Sequence, residues 1–103
     1  MENLDEILED GIKLIGAKEA LRDCLIRASG AIDIGNEESE RNCVDAAKSN
    51  WRILCGLSRK YPDSKIVKNA LGEVRKDAKQ ILPYEVYEKI YESELPEKDE
   101  DGE

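Results

Sequence analysis

The sequence contains no histidine among its 103 residues. Histidine is the side chain that most often serves as a general base near neutral pH, and it is also the commonest metal ligand. Its absence excludes every histidine-containing catalytic triad. Neither a G-x-x-x-x-G-K-[ST] loop nor a G-x-G-x-x-G loop occurs, so both common phosphate-binding loops are missing. We therefore predict a protein that is not an enzyme and that carries no cofactor.

Cysteine is scarce, and its three copies, Cys24, Cys43 and Cys55, form no C-x-x-C pair. Three scattered thiols without a histidine cannot complete a Cys₄ or a mixed zinc site, so no metal site is predicted. An odd number of cysteines at irregular spacing also does not make a disulfide framework. We interpret them as reduced thiols that pack in helices.

Long apolar runs are missing as well. No run approaches the roughly 20 residues that a membrane span requires. The N-terminus carries aspartate and glutamate where a signal peptide would carry lysine or arginine. These features predict a cytoplasmic protein with no membrane association.

Aromatic residues are few: the chain has four tyrosines and one tryptophan, whereas 39% of its residues are charged. This composition favours helices over sheet. In four segments the apolar residues recur at intervals of three and four, the amphipathic helical pattern. The predicted helices run from Leu4 to Ser29-Gly30, from Glu37 to Arg59, from an Asp63-Ser64 cap to Leu82, and between Pro83 and Pro96.

Capping and breaking residues separate these segments. Gly35-Asn36 combines a glycine suited to the end of one helix with an asparagine suited to cap the next. Pro62 ends the second helix, Pro83 divides the third from the fourth, and Pro96 ends the fourth. Residues 31–34 are the single short strand candidate.

Gly11 and Gly16 interrupt the apolar pattern of the first helix. Each glycine weakens a helix by about 1 kcal/mol relative to alanine. They indicate a bend, a break or a close crossing of another helix. The apolar positions assigned to this helix and its connection are Leu4, Ile7, Leu8, Ile12, Leu14, Ile15, Leu21, Leu25, Ala28 and Ile32.

Together these segments predict an all-α fold, an up-and-down helical bundle of three main helices plus a short C-terminal helix. Residues 1–96 are expected to form a single helical domain, because a chain of this length buries enough surface for one modest core. Residues 97–103 are expected to form a disordered acidic tail with nothing to bury.

Charge is unevenly distributed along the chain. The net charge is −8, so direct binding to nucleic acid is not expected, yet residues 51–82 carry a net charge of +5. At about 100° per residue, lysines and arginines form a stripe on each of the second and third helices. The candidate residues for binding a small anion such as a nucleotide are Arg52, Arg59, Lys65, Lys68, Arg75, Lys76 and Lys79. Two alternatives are ordinary solvated faces and an acidic tail that folds back over the stripes.

The fourth helix suggests a second kind of site. Tyr84, Tyr87, Tyr91 and Leu95 combine apolar bodies with polar tips, as the anchors of protein interfaces do. The alternative is that these side chains close the core of the bundle.

These observations lead to three functional hypotheses. The first is a non-enzymatic interaction module, an adaptor or inhibitor that docks a helix face on a protein partner and that also forms a homo-oligomer. The second is a protein that binds or sequesters a small anionic ligand on the basic stripes. The third, ranked lowest, is an acidic mimic of nucleic acid.

Overall fold

The described part of the chain, residues 4–91 of a computed structural model, forms four helices and no strand. The helices are α1 (Leu4–Ile34), α2 (Glu37–Lys60), α3 (Lys65–Ile81) and α4 (Tyr84–Tyr91). This confirms the predicted all-α bundle of three main helices and a short C-terminal helix. Leu95 and the predicted acidic tail at residues 97–103 lie outside the described residues.

The connection between α1 and α2 has the geometry that Gly35-Asn36 predicts. Gly35 adopts a positive φ of 73°, and its N–H donates to the carbonyl oxygen of Ile32 at 3.1 Å. The Asn36 N–H donates to the carbonyl oxygen of Ala31 at 2.9 Å, which completes a Schellman motif. The Asn36 side chain then accepts a hydrogen bond from the Ser39 N–H at 3.0 Å and caps α2. A side chain at position 35 would be strained by this φ.

The other two connections also follow local sequence signals. The Ser64 hydroxyl accepts a hydrogen bond from the Val67 N–H at 3.2 Å and caps α3. Pro83 separates α3 from α4, and its carbonyl oxygen accepts a hydrogen bond from the Tyr87 N–H at 3.0 Å. The predicted roles of the serine cap and the proline break are confirmed.

Helix α1 runs without a break to Ile34, so the predicted end at Ser29-Gly30 was wrong, and residues 31–34, the one short strand candidate, are helical. Ala28 and Ala31 are buried in the core on either side of Gly30. Packing of this last stretch against the bundle outweighs the cost of about 1 kcal/mol that a glycine imposes on a helix. The helix is also continuous through its two early glycines.

Ion pairs show how α1 and α3 are arranged. Lys18 pairs with Glu73, and one turn further along both helices Arg22 pairs with Asp77 at 3.2 Å. The two helices therefore run parallel, while the short connections make each antiparallel to α2. This is the up-and-down order that the sequence predicts.

The core is centred on Trp51 of α2, whose side chain is fully buried. The Tyr91 ring of α4 meets the Trp51 ring edge to face, with centroids 4.7 Å apart. The Tyr91 hydroxyl also donates to the carbonyl oxygen of Val74 on α3 at 2.9 Å. Helix α4 therefore packs against both α2 and α3, and it makes no contact with α1.

The tyrosines of α4 do not form one exposed face. Tyr87 and Tyr91 are buried, and only Tyr84, which is 65% exposed, faces solvent. Burial raises the pKa of the Tyr91 hydroxyl above its ordinary value. The placement of Tyr87 and Tyr91 corresponds to core closure, because both rings pack in the cluster around Trp51.

We expect replacement of Tyr91 by alanine to lower the free energy of unfolding by about 3–5 kcal/mol, the usual cost of removing a buried aromatic side chain. The matched Tyr84→Ala change, on the exposed side of the same helix, should cost less than about 0.5 kcal/mol. Urea unfolding followed by circular dichroism measures both. Equal effects of the two substitutions would contradict the placement of Tyr91 in the core.

Candidate functional site

The predicted basic stripes lie near different neighbours in the structure. Lys79 of α3 lies over the Tyr87 ring, with its Nζ 5.6 Å from the ring centroid. Arg52 of α2 instead lines a cavity that includes Asp10 and Lys13 of α1. Of the remaining candidates Arg75 is half-buried, and the others are exposed: Arg59, Lys65, Lys68 and Lys76.

Helix α4 packs between the two helices that carry these stripes, at the level of Trp51 and Val74. If α2 and α3 form an antiparallel hairpin, the sequence pattern would allow both stripes to line one groove. At the level of Trp51 and Val74, the buried side chain of Tyr91 contacts both helices. Binding of an anion by these residues stays a prediction from the sequence.

The most unusual surface of the described residues is the outer face of α1, which we define as Leu4, Leu8, Ile12 and Ile15. Their exposed fractions are 69%, 59%, 72% and 59%. They follow one another at intervals of three and four, so they form a continuous stripe on one side of the helix. The neighbouring Ile7 and Ile66, which are 38% and 72% exposed and line one groove, extend this exposed aliphatic surface.

This outer face exists because α1 is apolar on two sides. The core side of α1 is formed by small and aliphatic residues further along the helix, among them Ala17, Leu21 and Leu25. At about 100° per residue, Leu8 lies about 140° around the helix from Leu21. The outer face therefore cannot reach the core of its own bundle.

A groove borders the outer face where α1 meets the end of α2 and the start of α3. Its volume is about 210 Å³. It is lined by Ile7, Asp10, Gly11, Leu14, Leu57, Tyr61, Ser64, Ile66 and Val67. The apolar spacing of the third helix predicts that Ile66 lies on the core face together with Val67 and Ala70. This prediction is wrong for Ile66, which is 72% exposed at the edge of the groove.

Gly11 joins the groove to the outer face. A Cβ atom placed at Gly11 would meet no other atom within 4 Å, so nothing inside the protein requires glycine there. Without a side chain at this position the helix backbone is open between Ile7 and Ile15. The groove and the outer face therefore form one apolar surface, which we call the α1 docking surface.

A polar cluster closes the inner end of the groove. Asp10 is 8% exposed. Its carboxylate accepts a hydrogen bond from the Tyr61 hydroxyl at 2.5 Å and forms an ion pair with Lys60 at 2.8 Å. Lys60 also pairs with Glu6. The hydrogen bonds from Lys60 and Tyr61 hold the pKa of Asp10 below its ordinary value, and those from Asp10 and Glu6 raise the pKa of Lys60.

The chemistry of this surface suits contact rather than reaction. Its lining is largely aliphatic, and its volume is below the roughly 300–1,000 Å³ of ordinary ligand pockets. It accommodates one large side chain of a partner.

Outside this surface, burial raises the pKa of the Cys24 thiol, which disfavours the reactive thiolate form.

Sequence reasoning missed the α1 docking surface. The apolar residues of the first half of α1 were assigned to one amphipathic pattern together with the core residues of the second half. The available signal was the direction of each residue around the helix, because Leu8 and Ile12 point away from Leu21 and Leu25. A helix with apolar residues on more than half of its circumference needs a second neighbour.

Comparisons with known proteins give no family assignment, since no family model, no curated protein and no solved structure matches the chain. Within residues 4–91, no helix is long and apolar enough to cross a membrane, and no group of three or more cysteine, aspartate or glutamate side chains is placed to hold a metal ion.

The Asp10 cluster generates a prediction about pH. Because the folded protein holds the pKa of Asp10 below the ordinary value of about 3.9 for aspartate, the ionised carboxylate stabilises the fold above that pH. This stabilisation is lost as the pH falls through the lowered pKa. We expect Asp10→Asn to lower the free energy of unfolding at pH 7, and the difference from the wild type to shrink below about pH 4.

Urea titrations followed by Trp51 fluorescence at several pH values measure this difference. Glu73→Gln is a suitable control, because Glu73 also pairs with a lysine but is far more exposed. Its effect should be smaller than that of Asp10→Asn. If the difference in free energy of unfolding between Asp10→Asn and the wild type stays constant down to pH 2, the ionised Asp10 carboxylate does not stabilise the fold.

Proposed function

We propose that this chain is a non-enzymatic protein-interaction module that docks the α1 docking surface on a protein partner. The observation that carries the proposal is the exposure of Leu4, Leu8, Ile12 and Ile15 along one side of α1. Contiguous exposed aliphatic patches on a folded domain are typical of interaction sites. Docking acts by occupying a surface of the partner, as an adaptor or an inhibitor does.

The form of the surface supports docking of one helix face. The core of a specific interface is apolar and its rim is polar, and here an exposed aliphatic stripe lies beside exposed polar side chains. The side chains are held by a helix that is anchored in the core through Leu21 and Leu25. The surface is therefore presented in one fixed arrangement, which lowers the entropic cost of binding.

Helix α4 supplies less support for the same function. Two of its four predicted contact residues, Tyr87 and Tyr91, are buried against other helices, and a third, Leu95, lies outside the described residues. Exposing them would require separating α4 from Trp51. We therefore place the docking function on α1.

Site-specific photocrosslinking in the cells that make the protein tests this proposal. A photoreactive amino acid at Ile12 should give a discrete protein conjugate, at least about fivefold more than the same group at Asn42, an exposed position on α2. Adding Leu8→Asp should suppress the conjugate from position 12, since it places a charge in the docked surface.

Leu8 is exposed, so circular dichroism and the thermal midpoint of Leu8→Asp should match those of the parent protein. Equal conjugates from positions 12 and 42, or a conjugate that Leu8→Asp leaves unchanged, would assign binding to another surface.

A further inference from the structure

The outer flank of the α1 docking surface is acidic. Glu19 lies among the aliphatic residues at about the same angle around the helix as Leu8, and Glu9 follows within about 100°. Both side chains are exposed. Two other acidic side chains of the same stretch, Glu6 and Asp10, pair with Lys60 and add little to this charge. A partner that covers the aliphatic stripe therefore also meets carboxylates along one edge.

The opposite flank does not balance this charge. The cations on that side, Lys18 and Arg22, pair with Glu73 and Asp77 of α3. Their charge is largely neutralised within the bundle. The electrostatic field that the docking surface presents to a partner is thus negative, and it attracts a basic one.

The shape of the surface favours a helix as the docked element. Leu4 and Ile15 are eleven residues apart, which corresponds to roughly 16 Å along the helix axis, or about three turns of a docked helix. Gly11 lies in the middle of this length and lets a second backbone approach closely. The adjoining groove of about 210 Å³ accepts one large anchoring side chain.

We propose that the occupant of the α1 docking surface is a basic amphipathic helix, whose apolar stripe crosses α1 at Gly11 and whose lysines or arginines face Glu19. This inference rests on the proposed function and specifies its partner. A second copy of this chain fits less well, because each copy carries a net charge of −8 and pairing of two α1 helices brings their acidic flanks together.

The test uses defined peptides and the full chain. A fluorescent peptide of about 16 residues, made of leucine and lysine in the i, i+3, i+4, i+7 pattern, should bind as measured by fluorescence anisotropy. A peptide with glutamate in place of lysine should bind at least about tenfold more weakly. A scrambled leucine–lysine peptide of the same charge should also bind about tenfold more weakly, which controls for attraction by charge alone.

Substitutions of two helical glycines locate the contact. Gly11→Ala and Gly72→Ala each add one methyl group, the first to α1 and the second to α3, at positions where a Cβ meets no atom within 4 Å. Both should raise the thermal midpoint, because alanine favours the helix. Only Gly11→Ala should weaken binding of the basic peptide, by about tenfold, since Gly72 lies on α3 about 120° around that helix from Ile66.

Reversing the acidic flank tests the charge complementarity. The double substitution Glu9→Lys with Glu19→Lys should weaken binding of the basic peptide about tenfold and strengthen binding of the acidic peptide. Raising the NaCl concentration from about 50 to about 500 mM should weaken binding of the basic peptide to the wild-type protein. Equal binding of the acidic and basic peptides, or equal effects of Gly11→Ala and Gly72→Ala on peptide binding, would overturn the proposal.

Two further outcomes separate this inference from the proposed function. If position 12 forms a protein conjugate in cells but the basic peptide does not bind, the docking function stands and the basic helix is overturned. If sedimentation equilibrium shows a dimer that Ile12→Asp dissociates, the occupant is a second copy and the basic helix is overturned again. Loss of both the conjugate and peptide binding removes both proposals.

Discussion

The complete burial of Trp51 determines how the four helices divide the available surface. Its ring requires apolar neighbours on several sides, and α4 supplies one of them through Tyr91. Since α4 is only eight residues long, contact with α2 and α3 uses its whole apolar side. No helix remains in the described residues to cover the outer side of α1. Because α4 closes the core around Trp51, it is not available to cover α1, and the α1 docking surface stays exposed.

Much of the fold could be predicted because its boundaries depend on local chemistry. The positive φ of Gly35, the Ser64 cap and the break at Pro83 each follow from the conformational limits of one residue type. The end of α1 could not be predicted in this way. Gly30 is a strong local signal, but the core contacts of Ala28 and Ala31 outweigh it, and such contacts are not visible in a local pattern.

The candidate site was harder to predict than the fold. Buried and exposed tyrosines have the same sequence signature, so only the packing of Tyr87 and Tyr91 against their neighbours distinguishes core closure from an interface. In α1 the apolar residues of both faces share the intervals of three and four, and the pattern did not show that two separate faces were present. The groove depends on Ile66, whose exposure follows from the position of α3 relative to α1.

The exposed aliphatic stripe also affects how the molecule behaves at high concentration. With a net charge of −8, molecules repel one another before their α1 helices can meet. At the isoelectric point, near pH 4.7, that repulsion vanishes while the aliphatic side chains stay exposed. Colloidal stability should therefore be lowest at mildly acidic pH, where contact between the exposed aliphatic stripes of folded molecules is least opposed by charge.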